Sequence, residues 1–199
     1  MVPDQPSPVP EGNALFRTFF YPWYDDNARE RHPDLLKTDL EELELQPGSD
    51  RSVLSPLGPD AQATAARQIE TISAAATADL GRYISHRPPP SLAWINALDN
   101  VLDDDDILRI LQGADARDYS NPYLVFTCEL GALTADCLLT ECPQLTWLYD
   151  HPYWESALFD ETSTTRIPVF HWAIKRMSSP GFQERLSDKI NAFRERGDG

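Results

Sequence analysis

Residues 121–177, NPYLVFTCELGALTADCLLTECPQLTWLYDHPYWESALFDETSTTRIPVFHWAIKRM, decide the fold. Asn121 followed by Pro122 is a helix start: a side chain that caps the first free N–H groups, then a proline where its missing N–H costs nothing. The helix is expected to run to about residue 142, before Pro143, with Leu124, Val125, Cys128, Ala132, Ala135, Leu138 and Leu139 as its buried stripe. Gly131 at its middle costs about 1 kcal/mol against alanine. That cost predicts a close crossing, by a strand or by the helix expected at 64–85. After Pro143 the apolar period changes. Strands are expected at 146–149, 154–160 and 166–169, and helical spacing resumes over 170–177. The fold class that follows is α+β, predominantly helical, with a small antiparallel sheet (about 145–169) packed on the long helix (about 122–142).

Outward from this stretch, residues 1–13 carry four prolines and little apolar bulk, and read as a flexible arm in front of one domain at 14–199. Residues 15–24, LFRTFFYPWY, concentrate aromatic surface that either crosses the core or forms an exposed contact patch. Pro33-Asp34 is expected to open a short helix through Leu45. Residues 46–60 read as a loop or linker, with three prolines and two glycines. A helix follows Pro59, capped by Asp60 and stopped by Pro88–Pro90. Another spans about 92–102, capped by Ser91. The run Asp103, Asp104, Asp105, Asp106 stands before ILRILQ and suits a helix N-terminus, whose dipole favours negative charge. A calcium loop there would need alternating ligands and a central glycine, which the run lacks. A last helix is expected at 181–196.

The chain has 199 residues and a formal charge of −15. The charge argues against binding nucleic-acid phosphates or anionic lipid, both of which need a basic footprint. It is unevenly spread: residues 25–50 hold nine acids against three bases, whereas residues 175–199 hold six bases against four acids. No run is expected to be long enough to span a bilayer, and the N-terminus carries no basic, then apolar, leader. Cys128, Cys137 and Cys142 form no paired motif; nine helical residues separate the first two by about 13 Å of rise, too far for a disulfide. Reduced thiols and the missing leader make the expected location cytoplasmic.

No GxSxG, GxGxxG, Walker or HExxH motif occurs. The best catalytic or metal-binding constellation joins His151 and His171 with Asp160, Asp150 or Glu155, if the strands fold back on one another. The loop 148–155 offers another possibility. Tyr149, Tyr153 and Trp154, interleaved with Asp150 and Glu155, have the composition of a protein-contact hot spot.

The order in 122–177 resembles that of small uncharacterised bacterial proteins, some of them toxin-immunity or accessory proteins. The resemblance rests on a helix with a small residue at its centre (CELGAL), a tryptophan-bearing strand (LTWLYD) and IPVFHWAIKRM after an acid-rich turn. It covers about a third of the chain and carries no catalytic residues. Together with the charge and the absence of catalytic motifs, it implies a non-enzymatic acidic protein that binds a basic protein partner, with no cofactor. Tyr149, Asp150, Tyr153, Trp154 and Glu155, with Asp103 to Asp106, are the expected contacts. A metal-dependent or acid–base hydrolase using His151 and His171 is the alternative, and a structural subunit contacting through residues 15–24 is a third reading.

Overall fold

The computed structural model describes residues 9–43, 54–82, 91–179 and 181–197. Most of the expected arm, most of the 46–60 loop and the Pro88–Pro90 stop lie outside them. Eight α-helices and four strands are described: α1 (Gly12–Phe19), α2 (Asp26–Arg31), β1 (Glu41–Glu42), α3 (Pro59–Asp79), α4 (Leu92–Val101), α5 (Asp104–Gln112), α6 (Pro122–Glu141), β2 (Leu145–Leu148), β3 (Ala157–Asp160), β4 (Thr165–Ile167), α7 (Val169–Arg176) and α8 (Leu186–Gly197). The fold is α+β and mostly helical.

The centre is α6. Asn121 Oδ1 accepts the Leu124 N–H at 2.9 Å and Pro122 takes the first turn, as the sequence dictates. Its burial is nearly all-round rather than a stripe, because α7 and α3 are its principal neighbours on two sides. Val125, expected in the stripe, is exposed. By length and apolar composition α6 could cross a membrane, which corrects the reading that no run is long enough. Within the fold, 78% of its most apolar window is buried. The element that crosses at Gly131 is α7, not a strand or α3. A Cβ on Gly131 would lie 2.6 Å from Phe170 Cδ1 and 3.1 Å from Phe170 Cα.

The sheet is antiparallel throughout, in the order β1-β4-β3-β2. Leu145 pairs with Asp160, Leu158 with Ile167, and Glu41 with Arg166. The three strands after Pro143 were expected, with β3 shorter because residues 153–155 form a 3₁₀ turn. The two-residue β1 was not expected.

The helix expected after Pro33 does not form. Residues 34–40 run irregularly across α1 and α7, whose side chains take over their backbone groups. Leu36 N–H donates to Asn13 Oδ1 (2.9 Å), Lys37 N–H to His171 Nδ1 (3.1 Å), and Asp39 C=O accepts from Trp172 Nε1 (2.7 Å). Buried backbone groups need partners, and here tertiary ones replace the helical ladder. Residues 9–12 are likewise part of the fold, not arm: Val9 is buried, and Pro10 C=O accepts the Ser179 N–H at 3.0 Å. The aromatic segment packs inward, with Leu15, Phe16, Phe19, Phe20 and Tyr24 buried. Pro22 ends α1 in a 3₁₀ turn. At the start of α3, Gly58 rather than Asp60 occupies the cap position, with Pro59 in the first turn.

Candidate functional site

Glu155 is the point on which five separate segments converge. It lies in the 3₁₀ turn before β3 and is 1% exposed. Its Oε1 accepts the Tyr24 hydroxyl proton, and Tyr24 in turn accepts from Trp154 Nε1 at 3.2 Å. His171, in the first turn of α7, places Nε2 3.2 Å from the same oxygen. Lys37 Nζ lies 2.6 Å from Glu155 Oε2, and His32 Nδ1 lies 3.4 Å from it. The other nitrogen of His32 faces a second buried carboxylate, Asp150, at 3.2 Å. Asp150 Oδ1 also accepts from Arg31 at 3.0 Å and from the His151 N–H at 2.7 Å. Two buried carboxylates are thus held by Lys37, Arg31 and His32.

Each tautomer and charge has a local reason. Lys37 N–H donates to His171 Nδ1, so the ring proton of a neutral His171 sits on Nε2 and points at Glu155. Burial pushes the His171 pKa down, which favours that neutral ring. Burial opposes ionisation of Glu155, but the hydrogen bond from His171 Nε2–H and the charge of Lys37 outweigh it; the carboxyl is held well below its usual range. Asp150 is lowered in the same way, burial being overcome by His32, the His151 N–H and Arg31. Burial, and then the Glu155 charge, push the Tyr24 phenol far above its ordinary value, so it stays a donor. The arrangement binds five segments together through charge. At its Asp150 end it borders the trough between α2 and α3.

That trough encloses about 660 Å³. It is lined by the carboxylates Asp25, Glu30 and Asp150 against one arginine, Arg31, with His151, Leu57 and Ala61 completing the wall. Asp25 caps α2 by accepting the Ala28 N–H at 2.7 Å, and its other oxygen lies 3.4 Å from His151 Nε2. A second cleft, about 510 Å³, lies between α3 and α6.

Four of the five contact residues expected in loop 148–155 face inward. Asp150, Tyr153, Trp154 and Glu155 are buried, and only Tyr149 is partly exposed, stacked on Trp147. They are corrected from surface anchors to interior groups. The four aspartates behave as expected at α5. Asp103 Oδ1 accepts the Asp106 N–H at 3.0 Å, Asp104, Asp105 and Asp106 fill the first turn, and Asp106 pairs with Arg109 at 2.7 Å. His151, His171 and Asp160 are not brought together as one set. His151 sits on Asp25 at the surface, His171 on Glu155 inside, and Asp160 closes the β3–β4 turn by accepting from Thr162 N–H and Ser163 Oγ. Among the described residues no group of three or more His, Cys, Asp or Glu side chains is placed to hold a metal ion. Cys128 is buried in α6, and burial pushes its thiol up to about 12.

Sequence reasoning missed Tyr24, Arg31, His32 and Lys37. One signal was present: Arg31 and Lys37 are two of only three bases among nine acids in residues 25–50. A lone base inside an acidic stretch has reason to turn toward a buried acid. Comparison of this chain with protein-family models, curated proteins and solved structures returned no match.

Proposed function

We propose that this is a non-enzymatic, acidic binding protein that engages a basic protein partner, in the manner of an immunity or accessory protein. The observation that carries this reading is the α2/α3 trough, with Asp25 and Glu30 lining it in a chain of net charge −15. Three of the tail bases are used within the molecule. Lys175 and Lys189 both reach Asp39, at 2.7 and 2.6 Å, and Arg176 reaches Asp99 at 2.9 Å. Acids remain in surplus at the start of α5, where Asp103 to Asp106 attract cations over a distance set by ionic strength, while on α2 Asp26 and Glu30 stand beside Arg29 and Arg31. The buried Glu155 network supports the same reading as scaffold: it fixes α2 and the end of the trough.

The test is a pull-down from the native host at low and at high salt, using the intact protein and the Asp25→Asn/Glu30→Gln double variant. Asparagine keeps the helix cap, so the variant isolates charge. A basic protein recovered in near-equal amount, released by salt and depleted by the double variant, is the expected result. Bound proteins indifferent to salt and to the variant would overturn the reading.

A further inference from the structure

We propose that the partner presents an amphipathic basic helix, whose apolar side chains enter the α3/α6 cleft while its cationic side chains reach across α3 into the acidic α2/α3 trough. This rests on the reading of the protein as a binder of basic partners and names the shape and chemistry of the bound segment.

The apolar half of the surface is built by α3 and α6 together. Ile72 and Ala75 on α3 face Leu124, Val125 and Cys128 on α6, with Tyr119 and Tyr153 beside them. The volume of about 510 Å³ is that of a site for several side chains. Exposed large apolar side chains are few among the described residues, four in all, and two of them, Tyr119 and Val125, border this cleft. An apolar concavity rimmed by polar residues marks a contact surface.

The charged half adjoins it. Thr64 and Gln68 line both the apolar cleft and the acidic trough, so the two are opposite flanks of one helix. On α3, Thr64, Gln68, Thr71 and Ala75 recur at spacings of four, three and four and form the cleft-side flank, whose apolar members are Ile72 and Ala75. Ala61, Ala65 and Gln68 form the other, toward Asp25 and Glu30. The exposed Thr64 and Gln68 form the ridge between the two, and Arg67 stands on the cleft side. A ligand astride the ridge meets apolar surface on one side and carboxylates on the other, which is the pattern of an amphipathic cationic helix laid in a groove. Charge complementarity excludes the acidic counterpart.

The probe is a fluorescein-labelled model peptide, roughly 14 residues or about four helical turns, of leucine at helical spacing and lysine elsewhere. Two controls accompany it: the same composition scrambled to break the apolar stripe, and leucine with glutamate. Binding is read by anisotropy as a function of salt. The intact protein is expected to bind the striped lysine peptide at least about tenfold more tightly than the scrambled one. Thr71→Trp, which fills the cleft without changing charge, and Val125→Asp at an exposed position are each expected to remove that preference. Asp25→Asn/Glu30→Gln is expected to flatten the salt dependence. Equal binding of striped and scrambled lysine peptides, untouched by Thr71→Trp, would overturn the apolar half and leave the acidic-binder reading standing. Failure of both lysine peptides to bind at low salt would overturn that reading as well, and equal binding of the glutamate peptide would overturn the charged half. Self-association abolished by Thr71→Trp in sedimentation would overturn the inference by placing a second copy in the cleft.

Discussion

Glu155 shows how a single side chain fixes the interior electrostatics. A carboxylate 1% exposed is tolerable only when its charge is matched, and here Lys37, His32, Tyr24 and His171 surround it. Glu155→Gln keeps the shape but leaves Lys37 facing a neutral amide. The expected cost is about 3–5 kcal/mol in denaturant unfolding, the range for breaking one side of a buried pair. In the Glu155→Gln background, Lys37→Met is expected to cost much less than in the native protein, because the two act as a unit. The pH dependence has a defined sign. The folded His171 resists protonation, so its contribution is present above the ordinary histidine value of 6.5 and falls away as pH drops below it. Glu155 and Asp150, both held low, contribute fully above their unfolded values of 4.5 and 3.8, and that contribution is lost as pH falls further toward their folded ones. Thermal melts from about pH 8 to about pH 2 are therefore expected to fall in two stages. Glu155→Gln is expected to reduce the slope of the second; an unchanged acid limb would show that the network does not control it.

Among elements, the α6–α7 crossing carries the packing argument furthest. Alanine at 131 would gain about 1 kcal/mol of helix propensity. The 3.1 Å approach to the Phe170 backbone means that α7 itself would have to shift, at a cost of roughly 1–3 kcal/mol. Gly131→Ala is thus expected to lower the melting temperature, whereas the same change at Gly58, where a Cβ meets nothing within 4 Å, gives no such clash. Gly131 made the crossing legible in the sequence, but not the identity of α7, because that pairing spans residues 131 and 170 and leaves no local period. The same division holds elsewhere. Helices with caps and prolines, α5 and α6 above all, could be read within a residue or two at their starts. The segment 34–40 could not: leucine spacing suggested a helix, and hydrogen bonds to Asn13 and His171 and from Trp172 decided otherwise. Two-residue β1 has no periodicity to detect. Loop 148–155 was misread because interleaved aromatics and charges look like a contact surface. Here the charges satisfy one another inside, and the aromatics follow them.

For the molecule as a whole, the separation of roles between steering and holding gives the last prediction. The acids of α5 lie in the first turn of a helix whose stability they serve through Asp103 and the dipole. They do not line the α2/α3 trough, yet they contribute to the field a basic ligand meets at a distance. Long-range charge raises association rates and is screened by salt, while contacts made in the bound state set dissociation. Asp104→Asn/Asp105→Asn is therefore expected to slow association with the striped lysine peptide and weaken its salt dependence, with little change in the dissociation rate. Asp25→Asn/Glu30→Gln is expected to accelerate dissociation by several-fold, since a direct charged contact of about 1 kcal/mol corresponds to about a fivefold change. Stopped-flow anisotropy at two ionic strengths measures both rates. Were the α5 pair to govern dissociation and the trough pair association, α5 would be the contact surface and the α2/α3 trough only part of the field.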